Sequence, residues 1–215
     1  MHAVLSWLVE LVTSGAILIL ALYFSAPVFH LIQGMQMRRH FYRRISAGKL
    51  NPHGFEARYA LGEIHARSHR WAGAEEELRA AVELNPDHAS CRSLLGRVLF
   101  RRSRFREAAV EFESALAIRP EEGYGETHLL TARAYEALGE KEKAIEWYQA
   151  AIRRNSSLCE PVYRLALVLK SLGREEDYRT QLGNTLKTFA PHSRRHYWRN
   201  LRFSLAARLR LVTGG

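Results

Sequence analysis

Cysteine is nearly absent from this chain. Of its 215 residues only Cys91 and Cys159 are cysteines, 68 positions apart and without CxxC spacing. That excludes a disulfide framework and a zinc module of recognisable ligand spacing, and two lone thiols suit a reducing compartment. Glycine-rich phosphate loops are missing, as are a GxSxG elbow and an HExxH helix, so no catalytic signature is present and no enzyme is expected. The best-spaced of the ten histidines are His65 and His69, four apart on one helical face. They lack a third ligand at a recognisable spacing, so neither metal nor cofactor is expected. The carboxylate runs Glu75–Glu77 and Glu175–Asp177 fall at predicted helix starts, where they offset the helix dipole in solvent rather than form an acid–base pair.

What is present is a repeat. Leu61-Gly62 returns as Leu95-Gly96, 34 residues later, and at the same offset Ala74 becomes Ala108, Leu78 becomes Phe112, Ala81 becomes Ala115 and Pro86 becomes Pro120. A fixed period of this size predicts stacked helical hairpins, an all-α solenoid. Small residues (Gly62, Gly96, Ala132, Ala166 against Ala74, Ala108, Ala144) let paired helices approach, and large ones such as Leu78, Phe112 and Tyr148 fill the space between. Gly139 and Gly173 suit a left-handed turn between paired helices.

The period and these residues resemble the tetratricopeptide repeat (TPR). The resemblance covers residues 55–190, as units 55–88, 89–122, 125–158 and a degenerate 159–190. The third unit follows a two-residue insertion at Gly123 and Tyr124, and the fourth has Tyr178 and Thr185 where the pattern has Ala.

Residues 1–35 read as a membrane anchor. Leu11 to Phe29 is a charge-free run of 19 residues, which as a helix spans about 28 Å, close to a bilayer core. No Lys or Arg precedes it, and Phe24 and Pro27 spoil the one candidate cleavage site, so a retained span is expected over a signal peptide. Trp7 on one side and Phe41 with Tyr42 on the other are candidate interface anchors. Arg38, Arg39, Arg43, Arg44 and Lys49 follow in a basic juxtamembrane linker, 36–54. The positive-inside rule then places the N-terminus outside and the repeats in the cytoplasm, a single-pass topology.

Charge is unevenly spread. The formal total is +10, yet residues 55–190 hold 21 Lys or Arg against 21 Asp or Glu, so the excess lies in the flanks. A nucleic-acid partner is therefore not expected, because topology and anionic headgroups account for cations beside a span. The tail, 191–215, reads as a basic amphipathic helix with Trp198, Leu201, Leu205, Leu209 and Val212 on one stripe and Arg199 and Arg202 among its cations. Two readings stay open: a cap over the last repeat, or a membrane-surface helix.

In TPR domains the first helix of each unit lines the concave face. The resemblance carries that role to Tyr59 and Glu63, to Arg97, Phe100 and Arg101, to Arg133, and to Tyr163 and Lys170. The chaperone-binding clamp of the family needs Lys and Asn where Tyr59 and Glu63 stand, so that clamp is not intact. Arg97, Arg101 and Arg133 are candidate carboxylate grips and Tyr59, Phe100 and Tyr163 apolar anchors, unless the arginines pair with neighbouring Glu.

The architecture is similar to bacterial inner-membrane TPR proteins that act as assembly factors or adaptors. The lipopolysaccharide assembly protein B family shares the anchor and cytosolic repeats, but its C-terminal cysteine-rich metal module is lacking here. The expectation is a membrane-anchored scaffold that binds a protein partner and assists assembly or regulation of a membrane-associated complex. The alternative is an integral structural subunit of such a complex.

Overall fold

The computed structural model describes residues 35–36, 38–39, 41–42, 51, 53–189 and 197–213. The apolar run 11–29, together with Arg43, Arg44 and Lys49, lies outside the described residues. Among the described residues no helix is long and apolar enough to cross a membrane, and all regular structure is helical. From residue 53 onward the order is α1 (Phe55–Arg67), α2 (Trp71–Leu84), α3 (Ala89–Arg101), α4 (Phe105–Ile118), a 3-10 turn (Glu122–Gly125), α5 (Glu126–Leu138), α6 (Lys141–Arg154), α7 (Cys159–Ser171), α8 (Glu175–Thr188) and α9 (Tyr197–Thr213). The chain forms two compact units, 1–77 and 78–215, with the division inside α2.

The 34-residue echo is visible in the geometry. The first helices (α1, α3, α5, α7) each have 13 residues and the second helices (α2, α4, α6, α8) each have 14. Between them the chain turns through one left-handed residue: His69 (φ 56), Ser103 (φ 60), Gly139 (φ 77) and Gly173 (φ 74). The next N–H then bonds back to the helix, Arg70 to His65, Arg104 to Leu99, Glu140 to Tyr135 and Arg174 to Leu169, at 2.9–3.0 Å. These are Schellman-type closures, which satisfy carbonyls that a helix end leaves orphaned. The glycine rule thus holds in two units, while His69 and Ser103 adopt the same backbone with a Cβ.

In the 1–77 unit, Ala57 and Ile64 of α1 pack with Phe41, which is 5% exposed. Phe41 was expected at a lipid interface; instead its ring fills the apolar space beside α1, while Tyr42 is exposed. Arg58 pairs with Glu77 at 2.7 Å. Glu75, expected in solvent, is buried.

In the 78–215 unit the second helices bury one stripe each, at spacings of four and three: Ala108, Phe112 and Ala115; Ala144, Tyr148 and Ala151; Tyr178, Leu182 and Thr185. That period keeps one face inward through two turns. The close approach at Gly96 is tight enough that an added Cβ would lie 2.7 Å from the Phe112 ring and 3.2 Å from the Ala108 carbonyl. The insertion before α5 is absorbed by consecutive left-handed residues, Gly123, Tyr124 and Gly125, and Asn155 ties the turn down by donating to the Tyr124 carbonyl at 3.2 Å.

The last hairpin is closed by α9, which packs on α7 and α8 and adds Phe203 and Ala207 to a core of Cys159, Tyr163, Ala166, Tyr178 and Leu182. Asn200 spans the junction, accepting from the Cys159 N–H (3.2 Å) and donating to the Ser157 carbonyl (2.7 Å). The face of α9 that meets the last hairpin is not the stripe of Leu205, Leu209 and Val212 that the sequence singles out. Leu205 (56% exposed), Leu209 (64%) and Val212 (80%) point away from the core, because Asn200, Phe203 and Ala207 fix the opposite face inward.

Candidate functional site

Successive first helices bring one register of side chains together. Phe100 on α3 lies under the guanidinium of Arg133 on α5, with its central carbon 5.2 Å from the ring centroid. Arg133 in turn pairs with Glu160 on α7 at 3.5 Å. Arg164, one turn further along α7, holds the same carboxylate at 2.9 Å and reaches Glu136 at 3.3 Å. Tyr148 donates its hydroxyl to Glu136 from α6. Arg202 of α9 approaches the other Glu160 oxygen at 3.9 Å.

This network decides the local electrostatics. Glu160 is a buried carboxylate compensated by arginines from three helices, α5, α7 and α9, so its pairing ties adjacent elements together. Burial, with Arg164 next, draws the Arg133 guanidinium below its usual value, yet it stays charged at any physiological pH. Burial, with Glu136 adding to it, pushes the Tyr148 hydroxyl well up, so it serves as a donor. Burial and the Glu113 carboxylate push the Tyr135 phenol up to about 12.

Beside the network opens a cleft of about 530 Å³, lined by Phe100, Arg101, Ser103, Phe105, Arg133, Glu136, Ala137 and Arg164. Phe100 and Phe105 meet edge-on in it, ring centroids 5.2 Å apart. Arg101 at its rim and Arg97 one turn earlier are exposed and have no ion-pair partner among the described residues. Internal pairing therefore neutralises Arg133 and leaves Arg97 and Arg101 available. A second cleft, about 400 Å³, lies between α2, α3 and α4, with Val82, Leu99 and Val110 on its walls and the Arg79–Glu107 pair (3.1 Å) at its edge.

Other candidates are placed elsewhere. Tyr163 is 9% exposed: Phe203 packs on its ring at 5.6 Å, and Arg210 donates to its hydroxyl at 3.0 Å. The tail helix thus takes up the contact area that the sequence assigned to a partner there. Lys170 lies over the Tyr178 ring at 5.0 Å. Tyr59 and Glu63 belong to the 1–77 unit, where Tyr59 stacks on Phe55 at 5.9 Å and Glu63 pairs with Arg67 at 2.8 Å. His65 and His69 are structural within that unit: the His65 ring lies 3.5 Å from where a Gly73 Cβ would stand, and His69 meets Trp71 edge-on at 5.1 Å. Of the membrane-facing candidates, Arg38, Arg39 and Arg202 are exposed, while Arg43, Arg44 and the side chains of Trp198 and Arg199 lie outside the described residues. Among the described residues no three His, Cys, Asp or Glu side chains gather as a metal-ligand set.

Arg164 and Phe105 were not picked out from sequence. Arg164 sits off the groove positions of the repeat, although its four-residue spacing from Glu160 is a readable ion pair. Phe105 opens a second helix, a position without a groove role in the pattern.

The tetratricopeptide repeat profile matches residues 43–89, 59–123 and 93–158, more than half of the chain. The chain belongs to the tetratricopeptide repeat family. Its fold is similar to that in a crystal structure of MamA (TM-score 0.64, 21% identity, covering 70% of this chain and 85% of that one). It is also similar to the first TPR of Spaghetti (RPAP3) bound to the HSP90 peptide SRMEEVD (TM-score 0.53, 15% identity, 58% of this chain and 97% of that one). A third likeness is to a chain of the APC/C hetero-tetramer Cut9–Hcn1 (TM-score 0.62, 19% identity, 82% of this chain and 34% of that one). No curated protein matches the chain in sequence. At these identities the likeness is one of fold, and the TPR architecture itself is a protein–protein interaction scaffold.

Proposed function

We propose that this TPR protein is a membrane-anchored adaptor that captures a protein partner on the face formed by α3, α5 and α7. The observation that carries the reading is a pair of exposed arginines with no ion-pair partner among the described residues: Arg101, which lines the 530 Å³ cleft with Phe100 and Phe105, and Arg97 one turn before it on α3. Guanidinium groups grip carboxylates in a fork, and an aromatic edge adds contact area at little entropic cost. The partner that fits is an acidic segment carrying an apolar anchor. The charge-free run 11–29 holds the repeats at a bilayer, in this reading on the cytoplasmic side, where tethering raises their effective concentration toward membrane clients and assists assembly of a membrane-associated complex.

The test is capture of partners from cells by crosslinking, with the full chain and with the Arg97→Glu/Arg101→Glu double variant. Loss of the captured protein at an unchanged melting temperature supports the face. Undiminished capture removes it. Protease access to the repeats in intact cells tests the topology separately.

A further inference from the structure

The tail helix has two faces, and the fold uses one. Asn200, Phe203 and Ala207 are buried, and Arg210 is bound to the Tyr163 hydroxyl. That side of α9 is therefore fixed, and the helix cannot roll to hide the other. What it turns outward is a stripe of Leu205, Leu209 and Val212, at spacings of four and three, exposed by 56, 64 and 80%. Arg202 and Arg208 flank the stripe, both exposed.

We propose that this outward face of α9 is a docking surface for an anionic lipid bilayer. Charge complementarity argues for it. Asp177 is the last carboxylate residue in the chain, and the 38 residues after it hold eight Lys or Arg. An apolar stripe flanked by arginines is the pattern of a helix lying in the headgroup plane, its leucines at the acyl boundary and its guanidiniums among phosphates. The same chain carries a charge-free run of 19 residues, 11–29, long enough to span a bilayer. A second copy of the chain fits the face poorly. Two such faces would set Arg202 and Arg208 of both copies against each other with no acid on α9 to relieve them. Three projecting side chains also fall far short of the roughly 800 Å² per partner that a stable interface buries. The surface lies apart from the α3–α5–α7 cleft, so its failure would leave the partner-binding reading standing.

The experiment uses the full chain reconstituted in vesicles, labelled with an environment-sensitive fluorophore at Val212→Cys; Cys91 and Cys159 are buried. Vesicles rich in phosphatidylglycerol are compared with vesicles of phosphatidylcholine alone. The expected result is blue-shifted emission, quenched by nitroxide-bearing lipid, in the anionic vesicles. High salt and the Arg202→Gln/Arg208→Gln variant should each reduce that quenching several-fold, and Leu205→Ser/Leu209→Ser should abolish it. Leu205, Leu209 and Arg208 face solvent, so their substitution should leave the melting temperature unchanged. Because Arg202 also approaches Glu160 at 3.9 Å, Arg208→Gln alone gives the charge effect without touching that pair, and a label at Leu209→Cys gives an independent reading. Water-like emission on anionic vesicles would overturn the proposal, as would equal burial on phosphatidylcholine. A blue shift in detergent that grows with protein concentration would assign the face to a second copy. A blue shift that needs an added acidic protein would assign it to that protein.

Discussion

Asn200 on the tail helix accepts the backbone N–H of Cys159 at 3.2 Å across 41 residues of chain. An N-terminal helix amide has no partner inside its own helix, so a side chain from elsewhere in the fold is completing α7. The same amide group donates to the Ser157 carbonyl at 2.7 Å, which holds the turn before α7 as well. Asn200→Ala should therefore cost about 1–3 kcal/mol, the usual range for losing a cap or stranding a buried polar group. Asn200→Asp, which keeps an acceptor and loses the donor, should cost less. Thermal melting checks the size, and hydrogen exchange at the Cys159 amide checks the place.

Gly96 and Phe112 bring α3 and α4 into close contact. With the ring only 2.7 Å from an added Cβ, Gly96→Ala must displace Phe112 or spread α3 from α4. The expected destabilisation is about 1–3 kcal/mol, as for other overpacked cores. Adding Phe112→Leu, the residue found at the matching Leu78, should recover part of the loss. Denaturant midpoints of the two single variants and the double variant test this, and simple additivity would refute it.

Ser103 occupies a left-handed turn that two other units fill with glycine. At Gly139 and Gly173 no other atom lies within 4 Å of an added Cβ, so the cost in these turns is one of backbone rather than of crowding. Ser103→Gly should raise stability by about 0.5–1 kcal/mol, the left-handed penalty less the entropic cost of glycine. Gly139→Ser should lower it by a similar amount. Melting temperatures of the pair give the answer.

Burial holds the Cys91 thiol neutral, pushing it up from its ordinary value near 9 to about 12, and Cys159 to about 11. Both groups are raised in the folded state, so their contribution is complete below about pH 9 and is lost as pH rises toward those folded values. Each buried thiol should remove at most about 1.4 kcal/mol per pH unit in that window. Cys91→Ala should flatten the alkaline decline in stability, and a thiol-reactive disulfide should leave both residues untouched until the protein unfolds.

The repeat was legible because its signal is stored in residues that the fold cannot replace cheaply. Ala108, Phe112 and Ala115 sit at the helix–helix contact, where volume is decisive, and the same stripe recurs in α6. The fourth hairpin kept its shape after losing that pattern, since Phe203 and Ala207 pack with Tyr178 in a core that includes the tail. That compensation comes from a distant segment, and a local reading cannot see it. The orientation of α9 was hidden for a related reason. Leu205, Leu209 and Val212 form the more apolar stripe, yet Asn200 and Phe203 win the inward position through a cap and a ring contact. In the cleft, Arg101 and Phe100 are readable from repeat position, whereas the Arg164–Glu136 link needs α5 and α7 side by side.

The bond between Asn200 and Cys159 also orders events during synthesis. Hairpins made of neighbouring helices can form as the chain leaves the ribosome, N-terminal units first. The fourth stays incomplete for longer: α7 lacks the Asn200 amide, 41 residues away, and Tyr163, Tyr178 and Leu182 lack Phe203 until α9 is made. A chain released before residue 200 would display those rings and that open helix end to chaperones and proteases. The core of the fourth hairpin thus depends on a segment outside it, and α9 seals that hairpin only once residues 200–207 have joined it.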